Sequence, residues 1–247
     1  MSAYSYFAEF YDILTGNVEY DKRADYIMEL FRRHDHEPGL TLDLACGTGS
    51  LTLELSRRGV DIFGADSSAD MLSVAQQKFD EAGKSTLFLC QKMQALELYG
   101  KIDTCICTLD SINHLPSKKA VTAAFGRIAN YLQDDGLFVF DCNTVYKHRH
   151  VLGDNCFVYD TEKVFCCWQN NYFEKDNRVA ITLDFFVPDG KLYRRFSEQF
   201  LERAYTREEM NEMLDNAGLF AEAVYDDRSF DPPKPDSQRE IFIVRKK

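Results

Sequence analysis

The chain has 247 residues, of which 45% are hydrophobic and 13% aromatic, so it can bury a sizeable core and does not resemble a disordered segment. Forty acidic against 29 basic residues give a formal net charge of -11, a balance that repels phosphate backbones and anionic headgroups. Nucleic acid and membrane surfaces are therefore unfavourable partners.

The amino-terminal segment has no basic region followed by an apolar run, and no stretch approaches the ~20 apolar residues of a membrane span. The eight cysteines lack paired CxxC spacings, which favours neither a zinc site nor a disulfide framework. We expect a cytoplasmic protein with one domain over residues 1–247 and no bound metal. The sequence does not determine the oligomeric state.

The first part of the chain predicts helices and then alternating strands and helices. Two short helices are expected over Tyr4–Leu14 and Asp21–Arg33, with residues 1–35 forming a cap over one end of a sheet. The predicted strands that follow are Leu40–Ala45, Val60–Ala65, Thr86–Cys90, Ile102–Cys107 and Gly136–Asp141. The predicted helices between them are Leu51–Arg58, Ser68–Glu81 and Lys118–Leu132, with Ser67 or Ser68 and Ser117 as N-caps. This alternation predicts an α/β fold with a doubly wound, mostly parallel sheet.

The sequence after Asp141 is rich in β-branched and aromatic residues. An antiparallel β insert is expected over residues 156–204, with a hairpin turn at Asp189-Gly190. Thr206 and Glu209 form a capping-box pattern for a helix that ends near Gly218. Strand-like Phe220–Tyr225 and Ile241–Val244 then complete the main sheet, the last strand running antiparallel.

The run Leu42-Asp-Leu-Ala-Cys-Gly-Thr-Gly49 places a carboxylate inside a strand and two glycines after it. Glycines there let a ligand approach the backbone at the edge where open α/β sheets bind cofactors. A dinucleotide fingerprint would need a third glycine where Thr52 stands, and Asp43 interrupts a strand that would normally be apolar. A phosphate-binding Walker loop would need Gly-Lys-Ser/Thr, which is absent. NAD and nucleoside triphosphates are therefore unfavourable ligands.

This pattern resembles the first motif of class I S-adenosylmethionine-dependent methyltransferases. The resemblance implies a Rossmann-like methyltransferase sheet and a loop that holds the methionine portion of the cofactor through Asp43, Ala45, Cys46, Gly47 and Gly49. Asp66 ends the second strand seventeen residues after Gly49, where a carboxylate can accept hydrogen bonds from both ribose hydroxyls, with Ser67 beside it.

Further motifs extend the resemblance along the chain. Gln91, Lys92 and Met93 occupy the family's adenine-binding position, although many relatives have an acidic residue where Lys92 stands, and Met71 could cover the ring. Thr108–Leu115 is similar to the segment that passes beneath the methyl group, which adds Leu109 and Asp110 to the cofactor residues. The amino-terminal pattern Tyr-x-x-Phe-Ala-x-x-Tyr-Asp and the β insert narrow the resemblance to a group of small bacterial methyltransferases. This pattern is Tyr4, Phe7, Ala8, Tyr11 and Asp12.

Candidate catalytic residues follow from the resemblance. His114 could act as a general base beside the methyl group, and Tyr11 could close over the cofactor or touch the sulfonium. Arg203 could bind an acceptor carboxylate, and the insert's aromatic residues could form a lid or pocket. We expect methyl transfer to a small molecule, with S-adenosylhomocysteine as the second product. A cofactor-binding protein without catalysis and an RNA methyltransferase remain alternatives.

Overall fold

The structure is a computed structural model that describes residues 7–247, so Tyr4 of the amino-terminal pattern lies outside the described residues. The strands within this range are β1 (Leu40–Leu44), β2 (Asp61–Asp66), β3 (Phe88–Cys90), β4 (Ile102–Cys107), β5 (Leu132–Asn143), β6 (Cys156–Asp160), β7 (Phe165–Phe173), β8 (Arg178–Asp189), β9 (Leu192–Arg203), β10 (Leu219–Asp226) and β11 (Arg239–Lys246). The helices are α1 (Phe7–Leu14), α2 (Tyr20–Arg33), α3 (Ser50–Arg57), α4 (Ala69–Glu81), α5 (Lys118–Tyr131) and α6 (Arg207–Asn216).

The main sheet has seven strands in the order β10-β11-β5-β4-β1-β2-β3. β1 to β5 run parallel, and β11 is antiparallel to both β5 and β10. The predicted doubly wound sheet with an antiparallel last strand is confirmed. Because the strand order reverses between β1 and β4, the loops that follow these two strands flank a crevice at the carboxyl edge, where such sheets bind ligands.

Helices cover both faces of the sheet. α5 and α6 pack on one face around Phe125, Phe138 and Met210, whereas α2 and α3 pack on the other around Leu30, Leu55 and Ile106. Ser68 and Ser117 cap α4 and α5 as predicted, and the capping box of Thr206 and Glu209 begins α6. No helix among residues 7–247 is long and apolar enough to cross a bilayer.

The predicted antiparallel insert is a separate four-stranded sheet in the order β6-β7-β8-β9. Its longest hairpin joins β8 and β9 through Gly190, whose φ of 64° suits the predicted Asp-Gly turn. One face of the insert packs against α1 through a core that includes Phe7, Phe10 and Phe185. The insert and α1 together lie beside the carboxyl edge of the main sheet, because Phe7, Trp168 and Gly47 share one cavity there.

Some element bounds differ from the predictions. β3 begins at Phe88 instead of Thr86, whose hydroxyl donates to the carbonyl of Ile62. β5 begins at Leu132, which the prediction had included in the preceding helix, and it continues to Asn143. A π-helical turn over Lys147–Leu152 was not predicted, since this polar stretch has no apolar periodicity.

Candidate active site

The loop after β1 is held in a backbone conformation that favours glycine. Gly47 has a φ of 53° and Gly49 a φ of 70°, and a Cβ on Gly49 would lie 2.9 Å from the Cβ of Ala75 on α4. Gly49 therefore permits close packing of α3 on α4. Ala45 also has a positive φ, 61°, a conformation that non-glycine residues rarely adopt outside constrained functional loops.

Asp66, at the end of β2, ties this loop to the next one. Its Oδ2 accepts from the Gly47 amide at 2.9 Å, and its Oδ1 accepts from the Ser68 amide at 2.8 Å. Burial raises the pKa of Asp66, while these backbone donors act in the opposite direction. A carboxylate offers about four lone-pair positions, so Asp66 can still accept from a further donor such as a ribose hydroxyl.

Asp43 lies deeper than Asp66, inside β1. Its Oδ2 accepts from the Thr52 hydroxyl at 2.6 Å, and burial followed by the nearby charge of Asp66 raises its pKa to about 7. Thr52, which stands where a dinucleotide fold would have glycine, is thus the partner of the strand carboxyl. Asp43 lines only a small cavity behind Gly47.

The segment after β4 is fixed by a second buried carboxylate, Asp141 of β5. Leu109 and Asp110 both have positive φ, and their amides donate to Asp141 at 2.9 and 2.7 Å. Arg239 of β11 pairs with Asp141 and, at 2.5 Å, with Asp110. Burial opposes ionisation of Asp110, but the charges of Arg239, Lys147 and His114 together outweigh it, and the net effect is a lowered pKa.

The amino-terminal helix is attached to the cofactor loop by Asp12. Its carboxylate accepts from the hydroxyls of Thr48 and Ser50 at 2.7 and 2.9 Å and from Lys78 of α4 at 2.7 Å. This attachment places the neighbouring Tyr11 against the cavity. Burial, with smaller effects from Tyr20 and nearby carboxylates, raises the pKa of the Tyr11 phenol well above its ordinary value, so the hydroxyl stays a donor.

A single cavity of about 250 Å³ runs between the carboxyl edge of the main sheet, α1 and the insert. Its lining includes most of the predicted cofactor residues together with both predicted catalytic residues. These are Tyr11, Ala45, Gly47, Asp66, Ser67, Met71, Met93, Leu109, Asp110 and His114. The smaller adjoining cavity is lined by Asp43 and Cys46, and shares Tyr11, Ala45, Gly47 and Leu109.

Four predicted residues line neither cavity. Gly49 acts in the turn and in helix packing, and the Gln91 side chain bonds to the backbone of Glu97 instead. Lys92 is exposed. Arg203 lies with its guanidinium 5.0 Å from the centre of the Tyr205 ring. The structure therefore does not bring these side chains to the cavity.

The other end of the cavity is formed by Trp168, one of the insert's aromatic residues expected to form a lid or pocket, and by three residues that were not predicted. Phe200 and Glu202 come from β9, Trp168 from β7 and Arg239 from β11. His114 Nε2 lies 3.7 Å from Glu202 Oε1, and its ring centre lies 5.3 Å from that of Phe200. The alternation of buried and exposed positions along the insert is the signal that could have indicated an inward Glu202.

Asp110, His114 and Glu202 also form a cluster with the chemistry of metal ligands, since one ligand atom of each lies within 4.8 Å of the others. Asp110, however, is already paired with the Arg239 guanidinium. A divalent cation there would lie beside a fixed positive charge. The expectation of no bound metal stays a prediction.

Comparison with known proteins agrees with the fold and the loop geometry. Residues 41–136 match the family model described as "Methyltransferase domain". The chain is 33% identical over 244 residues to a Bacillus subtilis protein named "Putative methyltransferase YqeM", covering 98% of this chain and 97% of that protein. It is 28% identical over 221 residues to a Streptomyces venezuelae dTDP-3-amino-3,4,6-trideoxy-alpha-D-glucopyranose N,N-dimethyltransferase, covering 87% and 90% of the two chains.

A solved structure extends this similarity to the whole fold. The crystal structure of an S-adenosylmethionine-dependent methyltransferase from Clostridium acetobutylicum has 35% identity, a TM-score of 0.88 and 98% coverage of both chains. The chain belongs to the S-adenosylmethionine-dependent methyltransferases. The predicted family and cofactor are confirmed.

Proposed function

We propose that this methyltransferase acts on a small molecule bound between the segment after β4 and the insert. The carrying observation is that one cavity joins Asp66 at one end to Glu202 at the other. Two different ligands can therefore meet in one cavity. When bound, S-adenosylmethionine supplies an activated methyl group, so the chain chiefly has to align an acceptor and exclude water. Alignment of this kind can lower a barrier by ~7–11 kcal/mol.

The chain's own residues divide between the two ligands. Asp66 fits the ribose because its carboxylate lines the cavity and can accept a further hydrogen bond, and Met71 and Met93 provide apolar contact for the adenine. Asp43, Cys46, Gly47 and the Leu109 backbone surround the place for the methionine portion.

Tyr11 and His114 are proposed to act at the reacting end. The Tyr11 hydroxyl remains a donor, and both side chains line the cavity. His114 lies beside Glu202, and this pair is proposed to take the proton of an acceptor group that starts protonated. The earlier proposal for Arg203 in substrate binding would require it to turn away from Tyr205.

Two observations favour a small acceptor over RNA. The chain carries a net charge of -11, and the cavity is closed on one side by the aromatic side chains of the insert. The similar Streptomyces venezuelae protein is named for an amino-sugar nucleotide, which is a small molecule.

Calorimetric binding of S-adenosylhomocysteine tests the cofactor end. Asp66→Ala should weaken binding by about 100-fold, because two charge-assisted hydrogen bonds of about 1.5 kcal/mol each are lost. Asp61→Ala, at the exposed opposite end of β2, is the matched control and should bind like the wild type. Failure of the folded wild type to bind would refute the cofactor assignment.

Methyl transfer from labelled S-adenosylmethionine tests the acceptor. A mixture of small amines, alcohols and carboxylic acids and, separately, total tRNA should be offered as acceptors. Label in the small-molecule fraction is expected. Label found only in RNA would contradict the proposal, and binding without any transfer would favour the non-catalytic alternative.

A further inference from the structure

The end of the cavity lined by Trp168, Phe200 and Glu202 is called the acceptor end here. Its carboxylate, Glu202, is not paired with an arginine of the described chain. The cavity is lined by three carboxylates, Asp66, Asp110 and Glu202, and by the guanidinium of Arg239. Asp66 belongs to the ribose end, and Asp110 is paired with Arg239. Glu202 is 4% exposed, and its neighbours here are two imidazoles and an amide.

The second imidazole, His148, lies behind Glu202 in the π-helical turn. It is fully buried, and its Nδ1 donates to the Asn177 carbonyl at 3.0 Å, because a carbonyl can only accept. The proton of a neutral ring is therefore on Nδ1, and the lone pair on Nε2 faces Glu202 Oε2 at 3.4 Å. Within residues 7–247, Nε2 has no hydrogen-bond partner. His148 Nε2 is therefore placed to accept a proton that Glu202 receives.

Lys147 is the other charged group near Glu202, and its charge acts on Asp110, Glu202 and Asp141 together. Lys147, next to His148, donates to Asn143 Oδ1 at 2.8 Å, and Asn143 Nδ2 lies 3.4 Å from Glu202 Oε2. Glu202 Oε1 points towards His114 and the cavity. Phe200 and Trp168 line the same end, and aromatic faces bind organic cations. A carboxylate framed by aromatic rings fits an ammonium group.

Resting on the proposed function, we propose that the methyl acceptor is an amine whose ammonium form is bound and deprotonated by Glu202, with His148 as the positioning residue. One N–H bond of the ammonium breaks and its proton passes to Glu202 Oε1. The freed nitrogen pair then forms the bond to the methyl carbon while the carbon–sulfur bond breaks and its electron pair stays on sulfur. The products are a methylated ammonium, a thioether and a proton that returns from Glu202 to solvent.

The test uses the full chain saturated with S-adenosylhomocysteine and three probes of similar shape. These are cyclohexylammonium, cyclohexanol and cyclohexanecarboxylate, with binding measured by calorimetry or by saturation-transfer NMR. The ammonium should bind at least ~10-fold more tightly than the alcohol, and the carboxylate most weakly. Equal binding of ammonium and alcohol, or a preference for the carboxylate, overturns the proposal without needing any variant.

Variants then test whether Glu202 is the residue that causes the preference for ammonium. Glu202→Gln should remove the preference for ammonium and leave affinity for S-adenosylhomocysteine within about twofold. His148→Phe should reduce that preference in part, since Glu202 keeps its charge but loses its positioning partner. Glu198→Gln is the matched control, because Glu198 is a buried acid on the same strand that accepts from the Phe7 amide through an oxygen that glutamine retains. Retention of the preference in Glu202→Gln, or its loss in Glu198→Gln, overturns the assignment to Glu202.

Failure of the proposed function and failure of the amine proposal give different results in this experiment. If S-adenosylhomocysteine does not bind, the proposed function fails before any probe is added. If it binds and the ammonium preference is absent, only the amine proposal fails.

Discussion

The cofactor end of the cavity is built from residues close together along the chain, whereas the acceptor end joins residues far apart. Gly47 and Asp66, which bond to each other, are separated by 19 positions. Asp110 and Arg239 are separated by 129, and His114 meets Glu202 only after the insert has folded back. The cofactor end can therefore be predicted from a local sequence motif, whereas the acceptor end is formed only when the chain folds.

The buried carboxyl groups at the two ends also have different partners and opposite pKa shifts. At the cofactor end, the hydrogen-bond partner of Asp43 is a hydroxyl, and the pKa of Asp43 is raised to about 7, chiefly by burial. At the acceptor end, Asp110 and Asp141 share the charge of Arg239, and the pKa of Asp110 is lowered. Substitutions in the two ends should consequently affect stability in opposite ways.

Asp141→Asn should have the largest effect. The variant leaves the buried Arg239 and Arg23 without their shared carboxylate and weakens the attachment of the Leu109 and Asp110 amides. Loss of one partner from a buried ion pair costs about 3–5 kcal/mol. Urea unfolding should show this as a lower midpoint with an unchanged slope.

The matched control is Asp134→Asn on the same strand, whose side chain is 97% exposed beside Lys246. No measurable change in midpoint is expected there. If both variants behave alike, the Asp141 network does not stabilise the acceptor end.

Asp43→Asn should change the pH dependence of stability. The unfolded carboxyl loses its proton near pH 4, while the folded one keeps it until about 7. The folded state therefore binds more protons in this window, and this group lowers the free energy of unfolding as pH rises, by up to about 1.4 kcal/mol per unit. The contribution is absent below about pH 4 and complete above about 7.

Unfolding midpoints from pH 4.5 to 7.5 measure this contribution. The wild type should lose stability relative to Asp43→Asn across the window, because asparagine keeps an acceptor for Thr52 without titrating. Asp61→Asn, at the exposed start of the neighbouring β2, should follow the wild type. Parallel curves for wild type and Asp43→Asn would show that Asp43 is ionised throughout.

Much of the fold could be predicted because its signals are local. Strand and helix alternation, the N-caps and the Asp189-Gly190 turn are each set by a few neighbouring residues, and all appear in the structure. The start of β5 and the turn at Lys147–Leu152 could not be predicted in the same way. Their conformations depend on pairing with β4 and on contacts to the insert instead of on local periodicity.

The site residues also fall into those that local sequence patterns predict and those that they do not. The glycine loop and Asp66 follow a pattern of fixed spacing, so the sequence alone predicts that they lie together at the carboxyl edge of the sheet, and Gly47 and Asp66 line one cavity there. Glu202, His148 and Arg239 have no such pattern. The guanidinium of Arg203 has the chemistry to bind a carboxylate, but adjacent side chains of a strand point to opposite faces, and Glu202 is the one that reaches the cavity.

The smallest effect is expected at Lys92, where family spacing and structure give different answers. Spacing places Lys92 at the adenine, yet its side chain is exposed and outside the cavity, whereas the adjacent Met93 lines it. Lys92→Ala should change affinity for S-adenosylhomocysteine by less than about twofold. Met93→Ala should weaken it several-fold, because apolar contact with a ring is lost.

Calorimetry on both variants at the same salt concentration makes the comparison direct, since the two positions are neighbours on one short turn. A larger loss at Lys92 than at Met93 would mean that the lysine folds over the adenine when the cofactor binds. Which residues contact the cofactor would then depend on the bound ligand. In that case, the spacing of motifs in the sequence would identify these residues better than the lining of the cavity does.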